Sequence, residues 1–381
     1  MMKRLIPVFI LVVGLAGCKR GTRFPVTHRL STEPVFEIVN VKPDEQLGIV
    51  MSAKQSKDSR YIAVLEFTKG RIVLYDGNGN FIREFGHPGV EAGELLLRGG
   101  MGSTEVEWGP GDRIYVLESG LRVQIFDTLG NSERIIPLPD KSAISMAVHP
   151  HTGDIYVTFS PLSTIRVAVI SPMGDELVRI TRDEPMQLDD VLRGKLWDMI
   201  NAYEYVATDE DGNFYLLRIG DARIEQYDAG GNLLKSITLD IRRVKLTKPQ
   251  IDSMLMGISE EQRTLLGTPQ IPMGFGVFYN DGNLWVGLNE YYKGKACRTF
   301  GIIKVADLSP VTRILLDTTV ATSYGSIASP RRGAGVYDVV GEHIVMVEPT
   351  QRIELEGKSP EELQQAMLGM TYKVVTLKYG W

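Results

Sequence analysis

Cysteine is almost absent from this chain. Cys18 and Cys297 are the only two in 381 residues, too few for a disulfide framework, so stability must come from packing. No Gly-x-Ser-x-Gly elbow, His-Glu-x-x-His, Cys-x-x-Cys or P-loop occurs in the sequence, which removes the common hydrolase, zincin, redox and nucleotide-binding signatures. No apolar run is long enough to cross a bilayer; the longest, residues 5–15, falls well short of about 20 residues. A basic excess is missing too. Lys and Arg number 42 against 47 Asp and Glu, and without such an excess binding to a phosphate backbone is not expected, so nucleic acid is excluded as a partner.

What is present begins at the N-terminus. Lys3 and Arg4 precede the apolar run, which ends in Leu15-Ala16-Gly17-Cys18: a basic region, an apolar region and a small-residue cleavage site, as in an export signal. This segment resembles the lipobox of bacterial lipoproteins. The resemblance implies cleavage of residues 1–17 as a signal peptide, diacylglycerol on Cys18, and a protein tethered to the inner or outer membrane of a bacterial envelope on its extracytoplasmic side. More than one acyl chain holds a protein firmly. Loss of Lys3 and Arg4 with the leader leaves 40 basic against 47 acidic residues, a net charge of −7. Residues 18–34 are polar and aperiodic and read as a tether.

From residue 35 the chain repeats one pattern, a Gly-Asp or Gly-Asn turn, a short apolar strand, and a second strand ending near Asp and another turn. It is seen at Gly111-Asp112 through Asp127, Gly153-Asp154 through Asp175, Gly212-Asn213 through Asp228 and Gly282-Asn283 through Asp307. Recurrence at this spacing marks a propeller or solenoid. The Gly, Asn and Asp pairs supply the positive φ that tight hairpins need. Six blades are predicted: residues 48–85, 104–138, 143–179, 204–239, 274–316, and 335–348 with 371–378. The sixth is one strand short, while residues 35–41 form a strand with no blade. The expected fold is therefore all-β, a six-bladed β-propeller over residues 35–381 in which the N-terminal strand completes the last blade and leaves no open seam.

The repeats resemble those of six-bladed NHL and TolB-like propellers. The connector from Phe85-Gly86-His87-Pro88 through Gly93-Glu94-Leu95 is similar to the one joining NHL blades, with Leu95 in place of the aromatic. The resemblance implies architecture more than activity, because one fold hosts many functions.

Helical insertions are expected at residues 188–200, after the capping boxes at Thr247 and Ser259, and after Ser359-Pro360. They fall with nearly every long connection (86–103, 182–203, 240–273, 289–298, 317–333, 349–370) on the side of the b–c and d–a loops, whereas the a–b and c–d turns are tight. One face is elaborated, and such a face commonly builds the binding surface. Trp197, Tyr203, Asn289, Tyr291, Tyr292, Arg331 and Arg332 put aromatic rings and donors there, suited to stacking on a glycan or peptide and clamping a carboxylate. The ligand expected is a small molecule, glycan or protein; no metal, cofactor or catalytic residue is expected, and a non-catalytic binding module is the leading reading.

Two rivals stay open. One is an envelope-complex subunit. The other is a propeller enzyme (a lyase, lactonase or glycan-processing activity) using channel carboxylates among Glu105, Glu107, Glu204 and Asp338, whose inward or outward aim depends on register. Asp76 through Asn80 lacks the Gly and Glu of a calcium loop and reads as a hairpin turn. His149-Pro150-His151 also reads as a turn. Cys297 reads as a small buried residue.

Overall fold

The computed structural model describes residues 23–25, 27–29, 34–42, 45–97, 103–245, 248, 251, 259, 263, 268–292, 295–315, 335–350 and 371–378. Six antiparallel sheets follow one another along the chain. From the inside outward, blade 1 is Val50–Gln55, Tyr61–Glu66, Arg71–Asp76 and Phe81–Phe85. Blade 2 is Glu105–Gly109, Arg113–Glu118, Arg122–Phe126 and Ser132–Pro137. Blade 3 is Ala143–Val148, Ile155–Phe159, Ile165–Ile170 and Glu176–Thr181. Blade 4 is Glu204–Thr208, Phe214–Arg218, Arg223–Tyr227 and Leu233–Thr238. Blade 5 is Gly274–Asn280, Asn283–Tyr292, Lys295–Lys304 and Ser309–Leu315. Blade 6 is Gly335–Val340, His343–Pro349 and Tyr372–Lys378, completed by Pro34–Ile38. The innermost strands touch in cyclic order. The chain is a six-bladed β-propeller closed by its own N-terminal strand.

Alternation explains why the sheets stack radially. In Tyr61–Glu66, Ile62 and Val64 join the apolar cluster shared with blade 6, and Ala63 and Leu65 the one shared with blade 2. Ile114 and Val116 face blade 1 while Tyr115 and Leu117 face blade 3. Both faces of each blade are apolar because both are covered. Six clusters fill the six inter-blade gaps, and each fully buried Ile, Leu or Val there contributes roughly 1.5–3 kcal/mol.

The innermost strands leave one edge without a strand partner, and neighbouring blades satisfy part of it with side chains, as a buried N–H requires. Ser52 Oγ accepts from the Val106 N–H (3.2 Å), Glu105 from Met146 (3.0 Å), Ser145 Oγ from Val206 (3.4 Å) and Asp338 from Gln55 (2.9 Å). Asn280 exchanges two hydrogen bonds with Gly341. Glu105 and Glu204, both considered as channel carboxylates, serve the scaffold. Glu105 stitches blades 2 and 3, and Glu204 is held by Arg166 and Arg182.

Two expectations change. Residues 18–34 are not simply a tether, since Thr27–Arg29 adds a fifth, parallel strand to the outer edge of blade 5 opposite Arg313, Ile314 and Leu315. Residues 289–298 were expected as a loop, but the strands on either side run on to Tyr292 and from Lys295, with Asn289 opposite Arg298 and Glu290 opposite Cys297. The expected helix at 188–200 is present as Leu188–Asp190, a wide turn Val191–Lys195 broken at Gly194 (φ 98°), and Leu196–Asn201. The expected helix after Ser359-Pro360 and nearly all of the segment after Thr247 lie outside the described residues.

Candidate functional site

The repeated turns share one internal hydrogen-bond pattern. In Asp76–Asn80, Asp127–Asn131 and Asp228–Asn232 the aspartate accepts the N–H of the Asn four residues on, and a glycine takes positive φ. Asp209 does the same for Asn213. In blade 3 a histidine replaces the aspartate: His149 Nδ1 accepts the N–H groups of His151 and Thr152 (3.1 and 3.0 Å). The lone pair a metal would use is already engaged by the turn.

At the tight-turn end, the central channel opens into a cavity of about 220 Å³ to which every blade contributes, through Lys54, Glu107, Ala147, Val206, Phe278 and Asp338 among others. Lys54 Nζ lies 2.6 Å from Glu107 Oε1, 3.6 Å from Asp338 Oδ1 and 5.2 Å from the Phe278 ring centroid. Asp338 follows a register irregularity after Val336, the kind of bulge that re-aims a side chain. Trp108 donates its indole N–H to the Lys54 carbonyl (2.9 Å) and stacks on Tyr61 at 6.0 Å. Gln55 lines the same cavity at 2% exposure, and neither atom of its amide has a hydrogen-bond partner among the described residues. At the rim Lys57 of blade 1 pairs with Glu210 of blade 4. These blades lie opposite each other in the ring, so the ion pair spans the mouth. Being exposed, it costs little to open.

Burial dominates the electrostatics. It pushes the Glu107 carboxyl up to about 7, Lys54 opposing and Asp338 and Glu105 reinforcing. It also raises Asp338, against the pull of Lys54 and the backbone N–H groups of Gln55 and Val339. Lys54 itself is raised despite burial, by Glu107, Asp338 and Glu105. One ammonium faces two carboxyls that resist ionising together. Such perturbed groups in a cleft are the usual mark of a functional site.

Of the residues proposed from sequence, the described ones, Tyr203, Trp197 and Asn289, do not line this cavity. Tyr203 is buried between blades 4 and 5 with Val191 and Met199, and Trp197 is half-buried on the helical insertion, its carbonyl accepting the Asn201 amide. Asn289 is 4% exposed and donates to the Pro272 carbonyl (3.0 Å). The backbone of Tyr291 and Tyr292 ends the second strand of blade 5; their side chains, that of Cys297, and all of Arg331, Arg332 and Cys18 lie outside the described residues. His87, exposed on the elaborated side, contacts Glu94 (3.1 Å). Lys54, Gln55, Trp108 and Phe278 escaped the sequence reading. Their signal was a lysine and a glutamine inside an otherwise buried innermost strand.

No family model and no curated protein matches the chain. Among solved structures it is similar to virginiamycin B lyase from Staphylococcus aureus (10% identity, TM-score 0.46, 90% of this chain and 99% of that one). It is also similar to a protein described as exported from Bacteroides fragilis (11%, TM-score 0.48, 94% and 100%) and to a streptogramin B lyase (15%, TM-score 0.42, 82% and 79%). The chain's own six sheets make it a six-bladed β-propeller, and no ligand or reaction follows from these likenesses.

Proposed function

We propose that this is a lipid-anchored, extracytoplasmic, non-catalytic binding propeller of the bacterial envelope, whose ligand enters the channel mouth between the tight turns. The observation that carries the reading is the cavity shared by all six blades, lined by the Lys54–Glu107–Asp338 cluster. The anchor rests on the Leu15-Ala16-Gly17-Cys18 segment. Arg23, docked on Asp240, follows Cys18 by five residues, so a lipidated Cys18 would hold blade 5 within about 18 Å of the bilayer surface.

Two experiments test this. Cys18→Ala should release the protein from the membrane fraction and abolish lipid labelling; retention with undiminished label would exclude the anchor. For the site, a small-molecule library spanning cationic, neutral and anionic compounds is screened by thermal shift against the wild type and Val340→Trp, which fills the mouth. Shifts confined to the wild type support a channel site, and shifts that persist in Val340→Trp place binding elsewhere and overturn it.

A second reading, an enzyme, is favoured by one observation, a Glu107 carboxyl poised near 7 beside Lys54. That is a general acid–base arrangement. Turnover of chromogenic lactones or esters that Glu107→Gln loses in kcat but not in KM would replace the binding reading with this one.

A further inference from the structure

Within the channel mouth, charge and surface chemistry are not neutral toward every ligand. The cavity is lined by Lys54 and Lys57 against Glu107, Glu210, Asp281 and Asp338. Lys57 is committed to Glu210. Deeper in, Lys54 alone faces Glu107 and Asp338, with Glu105 further along the same innermost strand as Glu107. A buried carboxylate without a counter-charge is costly, and the site therefore lacks one positive charge. An anion would add to the excess. A hard metal ion would seek several oxygen ligands, and no group of three or more acidic, His or Cys side chains among the described residues could hold one.

The walls specify more. Phe278 already carries one cation over its ring, and Trp108 lines the same cavity; aromatic faces favour organic cations over hydrated ions. Gln55 lines the cavity as well, its amide atoms buried beneath the surface and without a hydrogen-bond partner among the described residues. The volume, about 220 Å³, suits a compact molecule.

We infer that the channel mouth binds a small organic ammonium on a flat apolar body, its cation against the carboxylates of Glu107 and Asp338 and its body against Trp108 and Phe278. The inference rests on the channel mouth being the ligand site. Binding is then linked to protons. The ligand's charge replaces the proton that Glu107 holds when crowded by Asp338 and Glu105, with Lys54 opposing and the Lys57–Glu210 pair and Asp281 at the rim.

The test uses the purified full chain and three probes of one shape: benzylamine, benzyl alcohol and benzoate, followed by calorimetry and tryptophan fluorescence. Benzylamine should bind about tenfold or more tightly than either relative, since a charge-assisted contact and a cation–π contact are both lost without the ammonium. Its affinity should fall as the pH is lowered from about 8 to about 6, with proton release in buffers of different ionisation enthalpy. Glu107→Gln should lower affinity and abolish the proton release, and Val340→Trp should abolish binding. Equal or tighter binding of benzyl alcohol or benzoate, blocked by Val340→Trp, overturns the cation class and leaves the channel site standing. Benzylamine binding that survives Val340→Trp overturns both. Failure of benzylamine to bind the wild type overturns the class without recourse to any variant, and the library screen then decides separately whether the mouth is a site at all.

Discussion

Phe24 lies across Gly301 so closely that a Cβ at position 301 would collide with the ring. Arg313 lies 5.2 Å from the same ring centroid, and Arg23 pairs with Asp240. Residues preceding the first blade are thus fastened to blade 5. Gly301→Ala should cost about 1–3 kcal/mol through overpacking and expose the amides of Thr27–Arg29 to hydrogen exchange. Phe24→Ala should remove the collision, so that adding Gly301→Ala to it costs almost nothing more. Strict additivity of the two changes would show that the contact does not form.

Two truncations separate the strap from the closure. Removing residues 19–30 takes away the outer parallel strand together with the Arg23 and Phe24 contacts. Removing residues 19–39 also deletes Pro34–Ile38, which pairs with Tyr372–Lys378, and with it Ile38, 2% exposed against Val345, Val347 and Val374. At about 1 kcal/mol per hydrogen bond, the longer deletion should lower stability by several kcal/mol more than the shorter. Equal melting temperatures would rule out closure by this strand.

Arg166 joins blades 3 and 4 by reaching Glu204 (2.6 Å), Glu225 (2.5 Å) and the Tyr227 hydroxyl (2.7 Å), all buried. Arg166→Met leaves those carboxylates with fewer counter-charges. The expected loss is about 3–5 kcal/mol in chemical denaturation, the usual consequence of breaking a buried pair, and a loss below about 1 kcal/mol would mean the network is solvated.

Glu107 predicts a pH dependence of definite sign. Because burial holds its carboxyl near 7 against 4.5 for the free group, the folded protein keeps a proton there that the unfolded chain releases. Stability from this group falls as pH rises from about 4.5 to 7 and is flat above. Glu107→Gln should flatten that descent by on the order of 1–3 kcal/mol. Asp76 and Asp228, held low by hydrogen bonds from Asn80 and Asn232, act with the opposite sign at lower pH. A variant with the wild-type slope would move the titration to another group.

The blades and their closure were legible because period-two apolarity and Asp/Asn-Gly turns are local signals, and because one orphan strand matched one incomplete blade. Residues 289–298 misled for a physical reason. Asn-Glu-Tyr-Tyr-Lys reads as a solvated loop, yet Asn289 and Glu290 are buried, with partners at Pro272, Thr299 and Arg313 that lie far off or across the strand. The channel mouth was half legible. Glu107 and Asp338 stood out as acids in innermost strands, but their aim depends on a bulge, and Gln55 becomes informative only once its amide is seen to lack a partner among the described residues.

Joining Pro34–Ile38 to Tyr372–Lys378 also governs when the ring can exist at all. The two strands lie far apart along the chain, so the final blade assembles only after Tyr372–Lys378 has been made. Until then five sheets stack in an open arc whose ends expose apolar faces and a strand edge. Contacts of such sequence separation form slowly, and partly built forms of this kind are vulnerable to aggregation. The closing strand, made early, therefore has to stay unpaired until Tyr372–Lys378 arrives.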